Sequence, residues 1–219
     1  MRAIPVIGLL LLGCGSVQSP ASADAAAADS SSTSDAAASD VATPDADLGP
    51  HLIFVTSTVH DCALGGLTGA DAICQARAQA ANLPGTYKAW LSTGQMNGTP
   101  LARFTHAMVP YVKVDGVQVA DNWMDLTDGT IDSPINTTET GGPAPVGDMT
   151  CQLNSVWSNT LPSGAVFNAN NSCNNWTSIN VGGAHWGYST STSGTWTSAC
   201  SVGQNGFCFV SAPIYCFQQ

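Results

Sequence analysis

The chain has 219 residues, of which only 9% are charged, and its 15 acidic and 5 basic side chains leave a net charge of −10. No Lys/Arg cluster is present to neutralise a phosphate backbone, so nucleic-acid binding is excluded as a function class. Solubility must rest instead on the many Asn, Ser, Thr and Gly residues, a composition common in exported proteins.

Arg2 precedes an apolar run from Ile4 to Leu12 that is too short to span a bilayer and is followed by Gly13 and Cys14. This pattern predicts a lipoprotein signal over residues 1–13, with Cys14 as the lipid attachment site at the mature N-terminus. Diacylglycerol on its sulfur plus a third chain on its nitrogen would exceed the two-signal threshold for stable membrane anchoring. Gly15, rather than aspartate, follows; by analogy with bacterial lipoproteins this predicts an outer-membrane location facing the periplasm or the cell surface. Residues 14–49 contain no aromatic, lysine or arginine and carry six aspartates, from Asp24 to Asp47. Such a segment cannot bury enough apolar surface to offset its ordering entropy, so it reads as a disordered acidic tether.

Residues 50–219 hold every tryptophan and read as one domain, expected to be monomeric. Leu52 to Ser57 has the β-branched and aromatic character of a strand. Thr68 and Asp71 match a capping-box spacing, and Ile73, Ala76, Ala80 and Leu83 recur on one helical face until Pro84 and Gly85. Tyr87 to Leu91 reads as a strand with Tyr87, Ala89 and Leu91 on one side and Lys88 and Trp90 on the other. Tyr111 to Val114 and Val117 to Ala120, joined through Asp115 and Gly116, read as a hairpin. The apolar stretch from Phe207 to Phe217 predicts a central strand or pair.

Seven cysteines remain after Cys14: Cys62, Cys74, Cys151, Cys173, Cys200, Cys208 and Cys216. In an exported protein most should be paired, and the odd count leaves at least one thiol free or intermolecular. No Cys-x-x-Cys pair is present and the four histidines are scattered, so no zinc site is expected.

Several segments together resemble a known family. Gly69-Ala-Asp-Ala-Ile-Cys-Gln-Ala-Arg-Ala78 and Leu83-Pro-Gly-Thr-Tyr-Lys-Ala-Trp-Leu-Ser92 are similar to the opening of the endostatin domain of collagens XV and XVIII. They also resemble bacterial secreted proteins and lipoproteins with an endostatin-like fold, surface adhesins among them. Val119-Ala-Asp-Asn-Trp-Met-Asp-Leu126, Ser172-Cys-Asn-Asn-Trp-Thr-Ser178 and Ile214-Tyr-Cys-Phe-Gln218 extend the likeness over most of residues 52–219. The resemblance implies a C-type-lectin-like α+β domain, with one or two helices against a twisted antiparallel sheet and long loops. It further implies nested disulfides, Cys74 with Cys216 and Cys173 with Cys208. Cys62, Cys151 and Cys200 lie outside that pattern; two of them are expected to pair, in a combination left open.

The family's known ligands do not carry over by motif. The Glu-Pro-Asn, Gln-Pro-Asp and Trp-Asn-Asp signatures of calcium-dependent lectins are missing, His51 and His60 lack a matching zinc cluster, and Arg77 and Arg103 are the domain's only arginines against endostatin's heparin-binding set. Asp121, Asp125, Asp128 and Asp132, with Asn122 and Asp148, are the densest acidic feature. Their oxygens suit calcium, but the spacing fails the twelve-residue calcium loop, and a solvated loop explains them equally, so no metal or other cofactor is expected. For hydrolysis, His60, His106 and His185 are formal bases and Glu139 the only glutamate, yet no Gly-x-Ser-x-Gly elbow accompanies them.

Trp90, Trp123 and Trp176 fall in family-like segments and read as core. His185, Trp186 and Tyr188, beside a Ser/Thr-rich loop, are the expected contact patch. The whole reads as a surface-displayed, noncatalytic binding or adhesion module for an unspecified protein or glycan ligand. The alternatives are a loop-based hydrolase of envelope or extracellular polysaccharide and an architectural envelope lipoprotein.

Overall fold

The first strand, β1 (His51–Val55), is paired along both edges in the middle of a five-stranded sheet of order β2-β8-β1-β3-β4, and it buries side chains on both faces. The structure is a computed structural model that describes residues 49–147, 151, 154–202 and 207–219. The predicted leader, Cys14, the tether to residue 48 and Asp148 lie outside the described residues. No helix among the described residues is long and apolar enough to cross a membrane.

The last strand, β8 (Tyr215–Gln218), is inserted antiparallel between β1 and β2 (Tyr87–Ala89), with Ile53 opposite Phe217 and Ala89 opposite Cys216. β3 (Tyr111–Lys113) and β4 (Gln118–Ala120) form the hairpin expected around Asp115 and Gly116. The sheet is not wholly antiparallel, as the resemblance implied: β1 and β3 run parallel. The chain between them includes a helix and another strand, which gives the long crossover that parallel pairing needs. A smaller antiparallel sheet is built from β5 (Ser155–Trp157), β6 (Ala184–Tyr188) and β7 (Cys200–Val202), with β6 central. The described residues are therefore α+β, with two sheets.

The only long helix described, α1 (Gly66–Ala80), begins two residues before the predicted cap. Gly65, at φ 80°, takes the N-cap position without a side-chain hydrogen bond, so Thr68 lies within the first turn. The buried stripe is Ala70, Cys74 and Ala78; Ile73 and Leu83 pack beside it, and Ala76 and Ala80 are exposed. Small side chains let the helix approach the sheet, and a disulfide from Cys74 to Cys216 fixes which face does so. Two single turns, α2 (Pro100–Arg103) and α3 (Trp123–Leu126), complete the right-handed α-helices.

Strand alternation divides the buried residues into two cores on opposite faces of the large sheet. Phe54, Tyr87, Ala89, Leu91 and Cys216 join the core that includes α1, while Ile53, Val55, Trp90, Tyr215 and Phe217 join the other. Two further disulfides tie the loops: Cys173–Cys208 and Cys151–Cys200. Cys62 remains a buried free thiol.

Candidate functional site

The predicted contact patch does not form. His185 is 2% exposed and Trp186 1%, while Tyr188 is half-buried. Both lie on the central strand of the small sheet, where each face is covered: Trp186 stacks on Trp157 at 4.7 Å, and His185 on Phe167 at 3.8 Å. The His185 Nε2 and the Ser198 hydroxyl share a 3.1 Å hydrogen bond, and burial pushes the imidazole pKa down to about 4. Trp196 is also buried, 5.0 Å from Trp90. A Cβ on Gly187 would come 2.1 Å from the Trp196 carbonyl oxygen, so glycine is what lets the Trp196–Thr197 backbone lie against β6.

The formal catalytic candidates are also committed to structure. Glu139 is buried and accepts from the Ser57 backbone N–H at 2.9 Å, the Ser57 hydroxyl at 2.5 Å and the Arg77 Nε at 2.7 Å. Burial works to raise its pKa, but hydrogen bonds from Ser57 and Arg77 hold the carboxyl below its ordinary value. It staples its loop to the end of β1 and to α1. His60 shares a 2.8 Å hydrogen bond with the Thr58 hydroxyl, and His106 stacks on Trp123 at 4.1 Å.

Three of the four predicted aspartates converge: carboxylate oxygens of Asp121, Asp125 and Asp132 lie within 4.8 Å of one another at the surface. They offer three oxygen ligands to a cation such as calcium. Asp128 stands apart, accepting from the Thr130 backbone N–H at 3.0 Å, and Asn122 caps α3 by accepting from the Met124 and Asp125 amides. Local hydrogen bonds account for much of the cluster, since Asp125 accepts from the Asp121 N–H and Asp121 from the Gln118 carboxamide.

A different region presents a recess. A polar cleft of about 590 Å³ opens where the start of α1, the loop carrying Gln95 and Asn97, and the Asn174–Asn175 segment meet. Its floor is set by Arg103, which donates to both Asp71 oxygens at 2.6 Å and to the Ala89 and Leu91 carbonyls. The floor charges thus cancel, and the walls include the carboxamides of Gln95, Asn97, Asn174 and Asn175, which donate and accept at once. One wall is closed on itself by Thr93 N–H donating to the Gly98 carbonyl at 2.7 Å and Gly98 N–H to that of Gln95 at 3.0 Å.

The opposite wall is backbone of an unusual kind. Cys173, Asn174, Asn175 and Trp176 form one helical turn, but with φ of 48°, 55°, 58° and 62° it is left-handed. Left-handed turns cost L-residues roughly 1–2 kcal/mol each, less for Asn, so surrounding structure must hold this one. It does so from both ends: Cys173 is bridged to Cys208, and Trp176 is fully buried with its Nε1 donating to the Ser92 carbonyl at 3.0 Å. The Asn174–Asn175 ridge separates the cleft from a second depression of about 270 Å³. Sequence reasoning did not single out Asn174 and Asn175 as contact residues, or Gln95 and Asn97. The sequence offers only weak pointers, the Gly94-to-Gly98 spacing and two adjacent asparagines, a residue type that tolerates positive φ but is common in any loop.

No protein-family model and no curated protein matches the chain.

Proposed function

We propose that the protein is a lipid-anchored, surface-displayed, noncatalytic binding module with a C-type-lectin-like, endostatin-like domain. The fold reading draws support from the nested Cys74–Cys216 and Cys173–Cys208 bridges, from α1 packed on the sheet, and from the long loops above it. The functional reading rests chiefly on the left-handed Cys173–Trp176 turn, a costly conformation retained where it presents Asn174 and Asn175 to a polar cleft. With its floor charges internally paired, the cleft favours uncharged hydroxyl- or amide-bearing groups, as offered by a glycan or a peptide backbone. Asp71, the cleft's carboxylate, is engaged bidentately by Arg103, which favours binding over acid–base chemistry there.

The test is a binding screen of the full-length protein on arrays of glycans, matrix proteins and envelope extracts, with calcium and again with EDTA. Saturable binding that survives EDTA is expected; binding lost in EDTA would move the site to the Asp121–Asp125–Asp132 cluster, and no saturable partner would favour an architectural role. Anchoring is tested separately: Cys14→Ala should shift the protein from the membrane to the soluble fraction, and an unchanged distribution would refute it.

A further inference from the structure

The Sγ atoms of Cys62, Cys173 and Cys208 lie within 4.8 Å of one another, and all three residues are fully buried. Cys173 and Cys208 form a disulfide, whereas Cys62 is a free thiol facing it. The backbone already joins Cys62 to one of the pair: its N–H donates to the Cys208 carbonyl at 3.0 Å. Reciprocal bonds between His60 and Ala212, at 2.9 and 3.0 Å, hold the flanking segments side by side. A Cys62–Cys208 bridge therefore needs little backbone movement.

We propose that Cys62 exchanges with the Cys173–Cys208 bridge, so that the protein interconverts between two disulfide isomers. The Cys62 thiolate attacks Sγ of Cys208, a Cys62–Cys208 bond forms, and the Cys173–Cys208 bond breaks. The electron pair leaves on the Cys173 sulfur, which takes up the proton lost by Cys62. Nothing is oxidised or reduced overall, so no external oxidant or reductant is required. Burial, with Asp61 nearby, raises the Cys62 pKa, which keeps the proton on sulfur and makes the exchange slow near neutral pH.

The exchange bears on the cleft because Cys173 is the first residue of the left-handed turn. Releasing it from Cys208 removes one of the two restraints on Asn174 and Asn175, so the cleft wall belongs to the Cys173–Cys208 isomer. This last step rests on the cleft being the binding site; the exchange itself does not.

The experiment is disulfide mapping of the full-length protein held without added thiol between about pH 7 and pH 9, acid-quenched, labelled with maleimide and digested. A Cys62–Cys208 peptide with label on Cys173 should appear, about tenfold faster for each pH unit while the thiol stays below its pKa. Cys62→Ser should abolish it. Cys173→Ser, folded under oxidising conditions, should carry a Cys62–Cys208 bridge and no free thiol at those two positions. Label confined to Cys62 at every time and pH, or a Cys62–Cys173 peptide instead, would overturn the proposal. Exchange with unchanged ligand binding would remove the link to the cleft and leave the exchange standing.

Discussion

His185 shows how burial governs a side chain that the sequence places beside an apparently exposed loop. Its Nδ1 has no hydrogen-bond partner among the described residues, and its folded-state pKa is about 4, against an ordinary value near 6.5. Between those values the unfolded chain binds a proton that the folded chain refuses, so stability rises with pH across the window and falls on acidification. Going from about pH 7 to pH 5 should cost wild type about 2 kcal/mol through this group, by the usual free energy per pKa unit. Urea unfolding at the two pH values should show that loss, reduced in His185→Gln; equal losses in both proteins would show that His185 titrates normally. The sequence misleads at this residue for a physical reason. His185, Trp186 and Tyr188 precede a Ser/Thr-rich stretch, and polar composition predicts exposure, yet Phe167 covers His185, Trp157 covers Trp186, and Gly187 lets the Trp196–Thr197 backbone lie against the strand. Trp90 reads as core from its family-like segment, and the alternation from Tyr87 to Leu91 places it on the opposite side from Tyr87, Ala89 and Leu91, as the two cores show.

Among the elements, the pairing of α1 with β8 ties the start of the domain to its end. The helix presents a buried face of small side chains, Ala70, Cys74 and Ala78, and the Cys74–Cys216 bridge joins that face to β8 beside hydrogen bonds from the Tyr87 N–H to Gln75 and from the Ala89 N–H to Asp71. With a sequence separation of 142 between the two cysteines, loop-closure entropy assigns the bridge about 5 kcal/mol, on a scale whose origin is model-dependent. Replacing both by alanine should lower the unfolding free energy by several kcal/mol in calorimetry or denaturant titration, and a loss under about 1 kcal/mol would contradict that role for the bridge. The strands β1, β2, β3 and β4 were legible from apolar content and the Asp-Gly turn, whereas of the strand expected over Phe207 to Phe217 only Tyr215–Gln218 forms one, central in its sheet, and the residues before it are turns and isolated bridges. The start of α1 was not, because Thr68 and Asp71 fit a capping box that the Gly65 turn pre-empts, leaving Asp71 to accept from Arg103 and from the Ala89 amide at 2.9 Å. The left-handed turn was not legible either, since a tertiary disulfide and a buried tryptophan enforce it.

At the scale of the whole molecule, a lipid anchor and acidic tether, proposed from sequence, precede a domain whose polar cleft is assembled from three separate stretches of chain. None of these stretches is distinctive alone: Gln95 and Asn97 sit in a short turn, Asp71 and Arg103 are 32 residues apart, and Asn174 and Asn175 resemble any loop asparagines. Only folding brings them together, whereas Cys74–Cys216 and Cys173–Cys208 are implied by the family resemblance and the Cys151–Cys200 pairing stays open until the fold places those two cysteines side by side. Recognition is proposed to take place at this cleft. The most direct measurement is the affinity of full-length protein for the ligand found in the binding screen, compared with Gln95→Ala and Asn175→Gly, all in EDTA. Asn175→Gly removes the carboxamide while keeping a residue that adopts positive φ freely. Each variant should bind at least about tenfold more weakly, a loss of roughly 1.4 kcal/mol, with thermal stability close to wild type, whereas unchanged affinity in both would place recognition elsewhere on the domain.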